Sequence, residues 1–179
     1  MAELLSTDQP VAAAPSRPAS ALLHAVVTWW AIAGGFVFCA IVAMSIVSIV
    51  GRKLFASPVE GDMELLMMLA AVGSAAFLPL CELEDHHIKV DALTTWMSGR
   101  GRAVLDLVAH LVLAVGAAVI TWRTQLYVHE VRESMEMSPI LLVPMWIPVS
   151  LLVPSFVLLT VAALYRAGLS LRTVMGARA

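Results

Sequence analysis

Four long apolar runs, each free of charge along its whole length, limit what this chain can fold into. No Asp, Glu, Lys or Arg lies between Arg17 and Arg52, between Glu64 and Glu82, between Asp106 and Arg123, or between Glu136 and Arg166. A hydrocarbon core of about 30 Å takes about 20 apolar residues of helix, at a rise of about 1.5 Å each. The first and fourth runs exceed that length. The second and third reach it with their apolar flanks, Met63 and Ala103 to Leu105. In water, helices of this kind would be apolar all round and would need cover on every side. With 13% charged residues, against about 25% in soluble domains, the chain lacks the polar surface for that fold. The fold class expected is therefore all-α integral membrane, with four transmembrane helices. A net charge of -2 gives no basis for a nucleic-acid partner.

The spans are expected over about 25–50, 63–80, 103–122 and 139–165. Residues 1–20 are rich in Ala, Pro and Ser, with Glu3 and Asp8 against a single base, Arg17. A secretory signal needs a basic start and a short apolar core, so this stretch reads as a disordered N-terminal tail ahead of a retained span. The membrane domain then covers 21–166, and 167–179 form a C-terminal tail. Trp29 and Trp30 suit the interface near the start of span one. The middle of span two, Ala70 to Ala76, is small-sided. The pairs Ala70/Ser74 and Ala71/Ala75 have the small-xxx-small spacing that allows close helix approach, within the bundle or against another subunit. After span three no Gly or Pro occurs until Pro139, so that helix is expected to run on through Val131 or Met135. Pro148 and Pro154 should bend the fourth helix, because each removes a backbone hydrogen bond.

An even number of spans places both termini and the second loop on one side. That side carries Arg17, Lys89, Arg100, Arg102, Arg166, Arg172 and Arg178, whereas the other carries Arg52, Lys53, Arg123 and Arg132. The bias in Lys and Arg puts the termini in the cytoplasm.

Pumps and ion-coupled carriers place ionisable groups at membrane depth. Here such groups are nearly confined to the span ends, so the chain is expected to serve a working partner rather than to catalyse or transport alone. No catalytic residue, cofactor or metal ligand is expected. The densest polar cluster, Glu82 to Asp91, contains His86 and His87, but adjacent ligands on a short loop seldom converge on one metal. It reads as a solvated loop or a structured turn. Beyond it, Leu93, Trp96 and Met97 share one helical face, with Asp91 to cap and Gly99 to end a short amphipathic helix in the interface. Asp106 and His110, four apart on span three, suit a local hydrogen bond or a subunit contact. No ionisable side chain follows them before Arg123 to continue a proton relay. Glu130, Glu133 and Glu136 share a face of the span-three extension, either as a solvated face or as a docking surface. Glu64 opens span two, where the helix dipole favours a carboxylate. Of the five histidines only His110 lies inside a span, which disfavours a haem held between two imidazoles.

The residues Gly51-Arg52-Lys53-Leu54-Phe55, then Pro58, Gly61 and Glu64-Leu65, followed by His87-Ile88-Lys89-Val90-Asp91, resemble the small membrane subunit of the tripartite ATP-independent periplasmic (TRAP) transporters. The likeness runs from about Trp29 to Tyr165. It implies a complex in the bacterial inner membrane, in which a large membrane subunit holds the substrate and ion sites and a periplasmic binding protein delivers an organic acid. The small subunit braces the large one and helps to receive the binding protein. The resemblance supplies no catalytic residues. It marks Arg52, Glu64, His87, Ile88, Val90 and Asp91 as structural or interface positions. Trp96, Asp106 and His110 join them from the residue patterns above, with Glu130 and Glu133 as candidates for docking the binding protein. The alternative is a membrane anchor subunit of an oxidoreductase. A stand-alone four-span carrier comes third.

Overall fold

The computed structural model describes residues 18–55, 59–84 and 99–176. Within them the chain forms four helices: α1 (Pro18–Phe55), α2 (Asp62–Leu83), α3 (Gly99–Glu133) and α4 (Trp146–Gly176). Each contains a stretch long and apolar enough to cross a bilayer. The N-terminal tail to residue 17, Pro58, the His87–Asp91 turn, the interfacial helix with Trp96 and the last three residues lie outside the described residues.

Helix limits follow from local chemistry. α1 ends on Arg52 and Lys53, cations that suit the negative end of a helix dipole. α2 opens after Gly61, whose φ of 73° belongs to the left-handed region, and carries Asp62 and Glu64 in its first turn. α3 has no internal proline and continues past Trp122 to Glu133, as expected. Its C-terminus closes with the Glu136 N–H on the Val131 carbonyl, around Met135 at φ 51°. This is a Schellman cap with Met in the position glycine usually holds. The fourth helix differs from expectation, for it starts at Trp146 rather than Pro139. Proline steers the residue before it away from helical φ/ψ, so Ser138 and Val143, preceding Pro139 and Pro144, keep 134–145 as a loop. Pro148 falls in the first turn of α4, where a backbone N–H would have no intrahelical acceptor, so proline's lack of one costs no helix hydrogen bond. Pro154 alone interrupts the helix interior.

The helices pack in the order α1, α2, α4, α3, with α2 against α1 and α4, and α4 against α3. The interior is built from small side chains: Ala31, Ala75, Ala76, Ala114, Ala117, Ala162 and Ala163 are all buried. Val27, Leu83 and Ala162 join α1, α2 and α4 in one apolar cluster. Large apolar side chains point outward instead, among them Phe36, Val47, Val112 and Val115. Only 17% of the most apolar window of α1 is buried inside the bundle, so most of that window faces the surroundings. In a bilayer, where lipid is as apolar as leucine, close backbone approach and dispersion contacts hold helices together, and small residues permit both.

The tight face of α2 is not the one the spacing suggested. Val72, Gly73, Ala75, Ala76, Pro79, Glu82 and Leu83 are buried, while Ala71 and Ser74 are exposed. The Ser74 hydroxyl donates back to the Ala70 carbonyl at 2.6 Å. Closest approach is to α1, where a Cβ built on Gly34 would lie 2.7 Å from Ala76 Cβ and 3.2 Å from the Gly73 carbonyl oxygen.

Candidate functional site

Polar side chains gather at the two ends of the bundle. At the end where α1 turns into α2, Ser48 is buried and donates to Asp62 Oδ2 at 2.5 Å. The Met63 N–H donates to Asp62 Oδ1 at 2.8 Å, and Arg52 Nη2 lies 3.6 Å from Oδ2. One carboxylate thus ties the last turns of α1 to the first turn of α2.

Glu64, two residues further along the chain, reaches the α3–α4 loop. Its Oε1 accepts the Ile140 N–H at 3.0 Å and its Oε2 accepts the Leu141 N–H at 3.2 Å. The loop is otherwise closed on itself. The Ser138 N–H donates to the Val143 carbonyl, the Leu142 N–H donates to the Ser138 carbonyl, and the Met145 N–H donates to the Glu136 carbonyl. Leu141 packs over Gly61, at 2.5–2.9 Å from where a Cβ would stand. Gly61 is therefore needed twice, for its left-handed φ and for its missing side chain. Arg132 stacks over the Trp146 ring at 5.6 Å, closing the base of the loop.

At the opposite end, His110 Nδ1 of α3 lies 2.6 Å from Glu82 Oε1 of α2, with one proton between them. The side chains are 8% and 0% exposed, so the contact is sealed from solvent and lipid alike. A third tie lies inside the bundle, where Trp30 Nε1–H donates to Ser155 Oγ at 2.9 Å, joining α1 to α4.

The candidates from sequence are distributed as follows. Arg52 and Glu64 belong to the network at the α1–α2 turn. His110 is buried, and the partner the structure gives it is Glu82, across the bundle, rather than Asp106 on its own helix; Asp106 is half-buried. Glu130 and Glu133 are exposed on the α3 extension. His87, Ile88, Val90, Asp91 and Trp96 lie outside the described residues. Trp29 is exposed and suits an interfacial anchor, whereas Trp30 turns inward to Ser155. Cys39 and Cys81 are free thiols.

Sequence reasoning passed over Ser48, Asp62, Glu82 and Ser155. Glu82 heads the polar run that follows it in the sequence, yet it is the last polar residue on the buried face of α2. The signal was its helical spacing from Ala75, Ala76 and Pro79. No comparable signal pointed to Ser155. Chemically, these contacts are ties between helices. Among the described residues no group of three or more His, Cys, Asp and Glu gathers to hold a metal.

Comparison with known proteins gave one match. The family model described as tripartite ATP-independent periplasmic transporters, DctQ component, matches residues 41–173. No curated protein and no solved structure matches the chain.

Proposed function

This chain belongs to the DctQ component family of the tripartite ATP-independent periplasmic transporters, and we propose that it is the non-catalytic small permease subunit of such a transporter. In this reading it braces a large, ion-coupled membrane subunit in the bacterial inner membrane, with both termini cytoplasmic. A periplasmic binding protein delivers an organic acid to the pair.

The observation that carries the reading is where the polar chemistry lies. The α2 span holds no charge between Glu64 and Glu82, and the polar groups that flank it are engaged with neighbouring helices and loops. A carrier that moves ions or anionic solute needs polar groups at membrane depth with capacity to bind them. A brace needs helix faces and a defined shape, and the bundle supplies both. The exposed Glu130 and Glu133 serve, in this reading, as the acidic patch that receives the binding protein.

Coexpression of the full chain with its large subunit tests the assignment. The two should copurify in mild detergent, and the chain reconstituted alone should give no solute flux. Flux from the isolated chain, or a haem absorption band in it, overturns the proposal. Charge reversal at Glu130 and Glu133 should lower uptake while leaving copurification intact; unchanged uptake removes the docking role.

A further inference from the structure

The α3–α4 loop presents large apolar side chains on a backbone that cannot retract them. Met137, Ile140 and Leu142 are 54%, 60% and 66% exposed. Leu142 adopts φ 54°, a conformation that non-glycine residues keep only where their surroundings impose it. The surroundings here are the Glu64 carboxylate, the buried Ser138 and the contact of Leu141 with Gly61.

The level of this loop along the bundle axis follows from α2. Its charge-free stretch, residues 65–81, rises about 26 Å, slightly less than the hydrocarbon thickness of about 30 Å. So short a span sets Glu64 at one border of the hydrocarbon. The loop backbone that Glu64 holds within 3.2 Å lies at the same border. Its apolar tip also continues the outward apolar surface of the spans, through Met63 and Met67 of α2 and Ile147 and Leu151 of α4, all exposed. At this level stand two cations, Arg52 and Arg132, the second laid over Trp146. Long basic side chains beside an indole are the usual equipment of the headgroup zone.

We propose that loop 134–145 is an interfacial anchor. Ile140 and Leu142 insert into the boundary between headgroups and acyl chains of the leaflet at this end of the bundle, and Arg52 and Arg132 meet the phosphates of the same lipids. The occupant is phospholipid, because the exposed face lies at the hydrocarbon border and is continuous with the outward apolar surface of the helices. Glu64 is the positioning residue that holds the tip at that depth. The inference does not depend on the identity of the transporter partners.

The test places single nitroxide labels at Ile140→Cys and, separately, at Leu142→Cys in a Cys39→Ala/Cys81→Ala background. The full chain, alone and in complex with the large subunit, is reconstituted in phosphatidylethanolamine/phosphatidylglycerol liposomes. Collision with oxygen is compared with collision with a water-soluble nickel chelate. Val47→Cys, on an exposed span position, gives the lipid reference, and the free nitroxide label in buffer gives the aqueous one. Both loop labels should be dominated by oxygen, as Val47→Cys is, with and without the large subunit. Dominance by nickel places the tip in water and overturns the proposal. Shielding from both reagents only in the complex assigns the face to a protein partner, which also overturns it. Either loop position suffices if the other variant fails to fold.

Discussion

The buried Glu82–His110 contact makes the sharpest demand on this structure. Leucine at either position roughly preserves volume, so the pair can be dissected with little cavity formation. His110→Leu takes the imidazole from a carboxylate with no exposed surface, and removing one partner of a buried ionic pair costs about 3–5 kcal/mol. Glu82→Leu leaves an imidazole that can remain neutral, so its cost is that of a lost buried hydrogen bond, about 1–3 kcal/mol. The double variant has neither problem, so it should be more stable than His110→Leu and lie well short of the sum. The coupling energy should reach at least about 1.5 kcal/mol, near the top of the range for hydrogen bonds between membrane helices, whose average is about 0.6 kcal/mol. Unfolding in mixed detergent–SDS micelles, followed by tryptophan fluorescence, measures all three variants against the parent. Two results would refute the reasoning: a coupling below about 0.6 kcal/mol, or a Glu82→Leu variant less stable than His110→Leu.

Two further substitutions probe the backbone. Gly34→Ala places a methyl 2.7 Å from Ala76 Cβ and 3.2 Å from the Gly73 carbonyl oxygen, so α1 and α2 must separate. The net loss should be about 1–2 kcal/mol, because overpacking outweighs the roughly 1 kcal/mol by which Ala exceeds Gly in helix propensity. Unchanged SDS stability would mean that the two helices do not approach this closely. Met135→Gly acts in the opposite direction. It relieves a left-handed φ of 51° at an exposed side chain, and should stabilise the chain by about 1 kcal/mol in the same assay.

How much of this was legible beforehand depended on distance along the chain. The extension of α3 to Glu133 could be anticipated, because continuation of a helix is a local property and no proline or glycine interrupted it. Hydropathy puts the start of α4 too early because it does not distinguish an apolar loop from an apolar helix. Pro139 and Pro144, each acting on the residue before it, carried the missing information. Arg52 and Glu64 were singled out by motif, but nothing in the motif said that Glu64 reaches backbone amides at residues 140 and 141. The spacing pairs His110 with Asp106 one turn away, whereas its observed partner lies on another helix, 28 residues distant.

The one-dimensional pattern was sufficient for class and number of spans, because crossing a bilayer requires only an uninterrupted apolar length, and length is written in the chain. It could not decide which small residues of α2 meet α1, which imidazole meets which carboxylate, or where the apolar loop tip comes to rest. Those choices depend on helix rotation and register. In lipid, all sides of an apolar helix are nearly equivalent until a neighbour's shape and a few buried polar contacts select one.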